Sequence, residues 1–522
     1  MAKIGKNIID IITFNLYDNP KAIFREYVQN SADAIDNAVE LGILKNQNEG
    51  CILILLDKDS RTITIEDNAT GIKHTDLNKK LIDVADSSKD RDVNKGFYGI
   101  GRLTGLGFCD KLIFETSFPG ESVKTIVEMD SQEAHKIIFD PDDPSNASEI
   151  IDKMSSIKTE SEKLDEHYFR VTIKGVHKIS NDDFFDTKAI INYLELVAPV
   201  AYDRTFQTFY NGKVLPYVKD NNLKLDVYNL WLGDTQIKKC YNTSIYDKTG
   251  KKLQNDEVKD LKFMEFYTNS GEMLAWGWHS ISNFNGQIPD GYQNRARGIR
   301  FRKHNIQIGN EETLKKFHKE DRGYAYFFGE IHIVHKALIP NSQRNDFTQN
   351  ETYQVFQRRL KEKFVELFDY YQDASKIRSA YEAINKVKIL HQQIEARKFL
   401  NNSEKEQFVS EIKNAEIEAK KRKEFLEKKK ESLTADSTKY QIFENITKEY
   451  IKEDKPTYVI PIDLEQVKQN VENGKFLFDD LHKLNRAEKK LVSRVFGVIA
   501  ANLPDKKLIE SLAKKIKEEF NK

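Results

Sequence analysis

The 522-residue chain predicts an α+β protein that ends in a helical region, and three observations lead there. Helical and strand periodicities alternate as far as residue 372. The composition then changes, with Lys, Glu, Ala and Gln dominating residues 373 to 435 and no proline among them. A chain of this length also carries enough sequence for three or four domains. The divisions expected are 1–185, 186–372, 373–435 and 436–522.

Element by element, the first helix is FREYVQNSADAIDNA, Phe24 to Ala38. Val28, Ala32, Ile35 and Ala38 recur at three- and four-residue intervals and give it one buried face. Glu26, Asn30 and Asp33 can converge on one spot of that helix, where polar groups near a buried face need a partner. CILILLD and RTITIED read as adjacent strands joined at DKDS, and DKLIFETS as another. The charged, Ser-rich insert DPDDPSNASEIIDKMSSIKTESEKLDE reads as a surface loop with a short helix, leading into the strand HYFRVTIKGV. Further strand candidates are TFQTFYNGK, LKFMEFYTN, GIRFRKHNIQIG and YFFGEIHIVHKALI, closed by a helix around YQVFQRRLKEKFVELFDYYQ. Beyond it Ile377, Ala380, Ile384, Val387 and Ile394 follow a three-four repeat, and Ser403 with Glu406 makes a capping-box start for a second long helix. Two antiparallel helices and part of a coiled coil both satisfy this pattern. RAEKKLVSRVFGVIAANL and KKLIESLAKKIKEEF complete the chain as amphipathic helices, with Pro504 in the turn between them.

Charge and cysteine content exclude several classes. Acidic and basic residues number 82 each, so no global charge draws the chain to nucleic acid or a membrane. Cys51, Cys109 and Cys240 are an odd number at unrelated spacings, against a disulfide framework or zinc cluster. An intracellular, reducing compartment, the cytoplasm, is expected. The N-terminus lacks the apolar core of a signal peptide, and no run of eighteen apolar residues predicts a membrane span. In RARGIRFRK, the alternation of Arg295, Arg297, Arg300, Arg302 and Lys303 predicts a solvated strand face, with nucleic-acid contact the less favoured alternative. AKKRKEFLEKKK, Ala419 to Lys430, reads as a solvated helix in the same way. His391 falls at a seam position and is expected to pack.

Two further stretches carry chemistry. ITIEDNATGI delivers Asp67 to the end of a strand, and Gly71 permits a tight turn where a flat ligand can lie against the backbone. KGFYGIGRLTGLGF holds Gly96, Gly99, Gly101, Gly105 and Gly107, a density that lets successive amides point into one cavity, and a helix starting after Gly101 adds its positive end. Its obvious guest is a phosphate chain, although the spacing is neither a P-loop nor a Rossmann fingerprint.

Together and in this order, the three stretches resemble the ATP-binding domain shared by gyrases, ninety-kilodalton heat-shock chaperones, histidine kinases and mismatch-repair clamp proteins, the GHKL superfamily. LYDNPKAIFREYVQNSADAID is especially similar to the opening helix of the heat-shock chaperones, and GFYGIGRLTGLGFCDKLIFETS to their glycine-rich lid and its strand. The resemblance implies a two-layer α/β sandwich (Bergerat fold), a transducer-like middle domain and a coiled or helical C-terminal part. It implies that Glu26 is the general base for the attacking water and that the Asn30 oxygen holds a Mg2+ ion bridging the phosphates of ATP. Asp33 would support the pocket near ribose and adenine, Asp67 would accept the adenine amino proton, and Gly71 would lie beside the base. Gly96, Gly99 and Gly101 would wrap the phosphates as a closing lid.

The chain departs from the family at Ala69, which stands where DNATG lacks the first glycine of the usual Asp-x-Gly-x-Gly. It also lacks a Gly-Thr pair in HYFRVTIKGV, where Thr172 is a possible substitute. The segment EIHIVHKALIPNSQRNDF resembles the chaperones' middle-domain loop, which implies that Arg344 contacts the γ-phosphate. The expected function is an ATP-hydrolysing, chaperone-like switch that dimerises and acts on protein clients. A MORC or mismatch-repair-like nucleic-acid clamp is the alternative.

Overall fold

The computed structural model describes residues 5–13, 19–83, 101–178, 182–396, 399, 402–452, 481, 483–501 and 506–521. The chain divides into two compact units, Met1–Phe368 and Asp369–Lys522.

The first unit opens with helices α1 (Asn7–Thr13) and α2 (Ala22–Glu40). Gly42 ends α2 by taking a φ of 71°. That left-handed residue lets the amides of Gly42 and Ile43 return to the carbonyls of Val39 and Ala38 at 3.1 and 2.9 Å. The apolar stripe of α2, from Ile23 to Ala38, is buried in the core beneath an eight-stranded sheet. The strand order is β5 (Ser155–Ser161), β4 (Val123–Asp130), β3 (Lys111–Ser117), β6 (Tyr168–Lys174), β2 (Thr62–Asp67), β1 (Cys51–Asp57), β7 (Asn229–Leu232) and β8 (Thr235–Gln236). Within this sheet, among the described residues, only β1 and β7 pair in parallel.

Alternation along the strands sorts side chains by face. Ile63, Ile65 and Asp67 of β2, Val171 and Ile173 of β6, and Leu112, Phe114 and Thr116 of β3 are buried on the helical side. Glu66, Glu115 and Arg170 occupy the other face, where Arg170 bridges both carboxylates at 2.5 and 3.0 Å. Helices α3 (Ser131–Phe139), α4 (Ala147–Met154) and α5 (Thr187–Val197) share the core of α2. One apolar and one charged sheet face, with helices on the former, is the two-layer α/β sandwich expected.

The insert read as a loop with a short helix contains more. An Asn146–Glu149 capping box starts α4, and β5 follows at the sheet edge. All but the first residue of β5 are exposed, so no apolar alternation marks it as a strand.

The middle of the first unit holds a ribbon of β9 (Ser244–Tyr246) and β10 (Lys252–Glu257) and a five-stranded sheet. Its order is β11 (Asp260–Tyr267), β12 (Met273–Ile281), β15 (Phe328–Ile333), β13 (Gly298–Lys303) and β14 (Ile306–Ile308). TFQTFYNGK, expected as a strand, is helical from Arg204 through α6 (Gln207–Phe209) to α7 (Leu215–Asp220). Asp203 caps this run by accepting the Thr205 amide at 3.0 Å. Phe206, Val214 and Val218 are buried at helical spacing, which outweighs the strand propensity of Thr, Phe and Tyr.

The basic string also departs from expectation. Arg300, Arg302 and Lys303 are buried, because β13 lies between β14 and β15 and a carboxylate stands beside it. Glu330 lies 2.8 Å from Arg302 Nη2 and 2.8 Å from Lys239 Nζ, all three fully enclosed. Tyr202 donates its hydroxyl to the same carboxylate at 2.5 Å. This interior ion cluster at Arg302, and the pairing of the buried Arg300 with Glu311 at 3.3 Å, replace the solvated face and with it the nucleic-acid contact there. Arg295 and Arg297 pair with Glu195 and Asp290.

Helix α8 (Glu351–Ala396) is continuous through residue 372. In the second unit α9 (Asn402–Glu431) runs antiparallel to it, with Asp373–Lys429 at 2.7 Å and His391–Glu416 at 2.9 Å. α10 (Thr438–Lys452) runs parallel to α8, stacking Tyr450 on Tyr381 with centroids 5.0 Å apart. Ile377, Ala380, Ile384, Val387 and Ile394 are buried, as the three-four repeat requires. α11 (Arg486–Ala501) and α12 (Lys506–Asn521) share a small core around Phe496 and Ala513.

Candidate functional site

Helix α2 supplies the first half of the site. Glu26 is only 4% exposed, and Arg25 donates Nε and Nη2 to its Oε1 at 3.1 and 3.0 Å. Arg344 Nε lies 3.7 Å from the same oxygen. Two cations thus flank one enclosed carboxylate. Arg25 also reaches the carbonyl of Gln343 at 3.4 Å, which ties α2 to the turn that carries Arg344.

That turn is closed by a bridge between Pro340 and Phe347. Arg344 takes a φ of 56° within it, and its carbonyl accepts the Gly309 amide at 2.8 Å. A left-handed conformation costs a residue with a Cβ, so the surrounding contacts hold this cation in place against local preference. Asp346, two residues after Arg344, takes Lys316 at 2.7 Å and the Tyr353 hydroxyl at 2.5 Å.

Asn30, one turn after Glu26, is half-buried, and Asp33 is buried. Gly101 meets Glu26 from the other side: a Cβ there would stand 2.7 Å from Oε2. The segment Gly101–Phe108 is a 3₁₀ helix, the helix expected after Gly101 in a tighter form. Tyr27 fastens it to α2, its hydroxyl donating to the Arg102 carbonyl at 2.9 Å and accepting the Gly105 amide at 3.1 Å. Gly96 and Gly99 lie outside the described residues.

The sheet supplies the second half. Asp67 is 1% exposed, with Oδ1 accepting the Ala69 amide at 3.2 Å and Oδ2 buried without a hydrogen-bond partner. Burial pushes its carboxyl up to about 7, while Ser31 on α2 and the Ala69 amide pull the other way. A buried acceptor without a donor is costly unless a ligand supplies one, so this oxygen fits a group such as an exocyclic amine. The positive φ of the turn, 63°, falls on Gly71, and Ala69 sits fully buried outside the left-handed region. Ala69 is therefore accommodated without the backbone strain its position raises. A Cβ at Gly71 would stand 1.9 Å from the Ser117 carbonyl oxygen, so glycine is required there.

Thr172 pairs with Thr64 and lies on the charged face of the sheet, away from Asp67. Phe169 is the residue in register with Asp67, and Thr116 is in register with Phe169 from the other side. Arg25 and Ser31 were not singled out from sequence. Arg25 adjoins Glu26, but nothing in the local pattern marks either residue as a partner of an acid.

Asn30, one helical turn from Glu26, is the side chain through which a divalent ion would be held in the expected role. Among the described residues no three His, Cys, Asp or Glu side chains form a metal cage. One neutral oxygen suits Mg2+, which keeps several waters and takes phosphate oxygens.

A layer of helices on an eight-stranded sheet, with one acid on α2 and another at the end of β2, makes a two-layer arrangement similar to that of GHKL ATP-binding domains. Residues 18–162 match the family described as histidine kinase-, DNA gyrase B- and HSP90-like ATPase. The curated relatives it resembles include the chaperone protein HtpG of Fusobacterium nucleatum, 29% identical over 131 residues, covering 22% of each chain. HtpG of Clostridium perfringens is 26% identical over 193 residues, 34% of this chain and 31% of that one. HtpG of Buchnera aphidicola is 30% identical over 132 residues, 22% of this chain and 21% of that one. The matched part thus spans about a fifth to a third of the length of these relatives.

Proposed function

We propose that the chain is an ATP-hydrolysing conformational switch of chaperone type. The observation that carries this reading is the meeting of Glu26, Arg25 and Arg344 in one buried cluster beside Gly101. Arg344 comes from the distant turn 340–347, so a site completed by it senses how the two parts of the first unit are held.

In this reading Asp67 accepts the adenine amino proton, Gly71 lies beside the base and Asp33 supports the ribose side. The amides of Gly96, Gly99 and Gly101 wrap the phosphates as a lid. Glu26 orients water for attack on the γ-phosphorus and takes its proton, the bond to the bridging oxygen breaks, and ADP and phosphate leave. Arg344 offsets charge on the γ-phosphate, where positioning and neutralisation supply most of the acceleration. Mg2+, held through Asn30 and the phosphates, would screen the same charge.

Dimerisation belongs to the proposal. Leu491, Val495 and Val498 lie one and two turns apart on α11 and are 63, 54 and 67% exposed, an apolar stripe suited to a second copy. Action in the cytoplasm on protein clients completes the reading; no helix of the described residues is long and apolar enough to cross a membrane. The nucleic-acid clamp alternative loses support from the burial of Arg300 and Arg302.

Steady-state ATP hydrolysis by wild type and Glu26→Ala, alone, with double-stranded DNA and with an unfolded protein, tests this. Turnover should rise with unfolded protein and fall at least about a hundredfold in Glu26→Ala, with nucleotide binding retained. Stimulation by DNA alone would favour the clamp, and absence of nucleotide binding in wild type would overturn both.

A further inference from the structure

The turn that presents Asp67 is fastened from three directions. Asn68 fixes it to β1, accepting the Cys51 amide at 2.7 Å and donating to the Glu49 carbonyl at 3.0 Å. The Ile72 amide donates to Thr116 Oγ1 at 2.7 Å. Between these anchors the fully buried Ala69 has its amide on Asp67 Oδ1, and its carbonyl oxygen lies 2.8 Å from Nδ1 of His167. His167 stands just before β6, half-buried. A carbonyl only accepts, so this contact requires the proton on Nδ1.

We infer that His167 is a positioning residue for nucleotide-base recognition. Its Nδ1–H fixes the carbonyl of the Ala69–Thr70 peptide and so the placement of Ala69, whose own amide, in the preceding peptide, holds one oxygen of Asp67 and leaves the other, Oδ2, for the ligand. This rests on the reading of Asp67 as the base acceptor. Without His167 the Ala69 carbonyl is a buried acceptor with a lost donor. The Ala69–Thr70 peptide relieves that cost by turning toward another donor, which displaces Ala69 itself, lengthens the bond from its amide to Asp67 and lets the carboxylate rotate out of place.

The test is the affinity of the 522-residue chain for ADP by titration calorimetry, with KM and kcat for ATP, in wild type, His167→Ala, His167→Asn and Asp67→Asn. Asn places an amide N–H as many bonds from its Cα as Nδ1. His167→Ala should weaken ADP about tenfold and raise KM similarly, with kcat within about twofold because Glu26 and Arg344 are untouched; His167→Asn should recover most of the loss. If His167→Ala does not fold, His167→Leu replaces it against His167→Asn, two side chains of similar size of which one donates.

Wild-type affinity in the non-donating variant, or a loss that Asn does not restore, overturns the role of His167 while Asp67→Asn still abolishes binding. Full affinity in Asp67→Asn, or no binding by wild type, overturns the reading of Asp67 and this inference with it.

Discussion

In the proposed role, Asp67 trades stability for recognition. Its carboxyl is raised to about 7 by burial, so the folded chain keeps a proton that the unfolded chain loses above about 4. More protons on the folded form means stability falls as pH rises through that window and levels off above about 7. Asp67→Asn should flatten this dependence and raise the melting temperature at pH 8, as scanning calorimetry would detect; an unchanged pH profile would contradict the assignment. If Asp67 accepts the adenine amine as proposed, it does so ionised, so binding near pH 6 should release a proton and affinity should climb until about pH 7. Calorimetry in two buffers of different ionisation enthalpy measures that release. At Arg344 the argument concerns shape: Lys keeps the charge but not the planar fork, so Arg344→Lys should lower kcat roughly tenfold or more with ADP affinity unchanged. Equal kcat in steady-state assays would remove Arg344 from the reaction. Glu26 and Asp67 could be read from motifs because each sits in a dense local pattern. Arg25 and Ser31 could not, since their importance lies in which acid they meet.

Elements failed to announce themselves where their burial was unusual. β5 is a strand through its ladder to β4, with almost no buried side chain to set a period of two. The run 204–220 is rich in strand-forming residues, yet a cap at Asp203 and buried positions at helical spacing decide its form. β13 departs from expectation for the opposite reason: its arginines look like surface residues and are core residues, because Glu330 on β15 pairs with Arg302 inside and Glu311 with Arg300. Removing one partner of a buried ion cluster leaves uncompensated charge, at a cost of about 3–5 kcal/mol. Glu330→Leu should therefore destabilise the first unit by about that much, and Glu330→Leu with Arg302→Leu and Lys239→Met should recover a large part of it. Urea titrations compare them; a triple variant no more stable than the single one would show that the cluster is not a charge-compensation device.

For the whole molecule, the exposed stripe on α11 makes the oligomeric prediction specific. Leu491→Lys, Val495→Lys and Val498→Glu together should give a monomer with the helix content of wild type, and light scattering from a dimer would place the interface elsewhere. By itself the sequence determined the two-layer α/β class of the first part and the seam of the long helices, and it marked the acids Glu26 and Asp67 that the fold encloses. All of these are written in residues close together along the chain, where periodicity and turn chemistry act. Only the tertiary structure decided that Arg344 and Arg25 share one carboxylate, that Arg300 and Arg302 are interior, that Thr172 faces away from the pocket and that His167 holds Ala69. Such contacts join residues from separate elements, and their energies depend on enclosure and register, which no local pattern of side chains encodes.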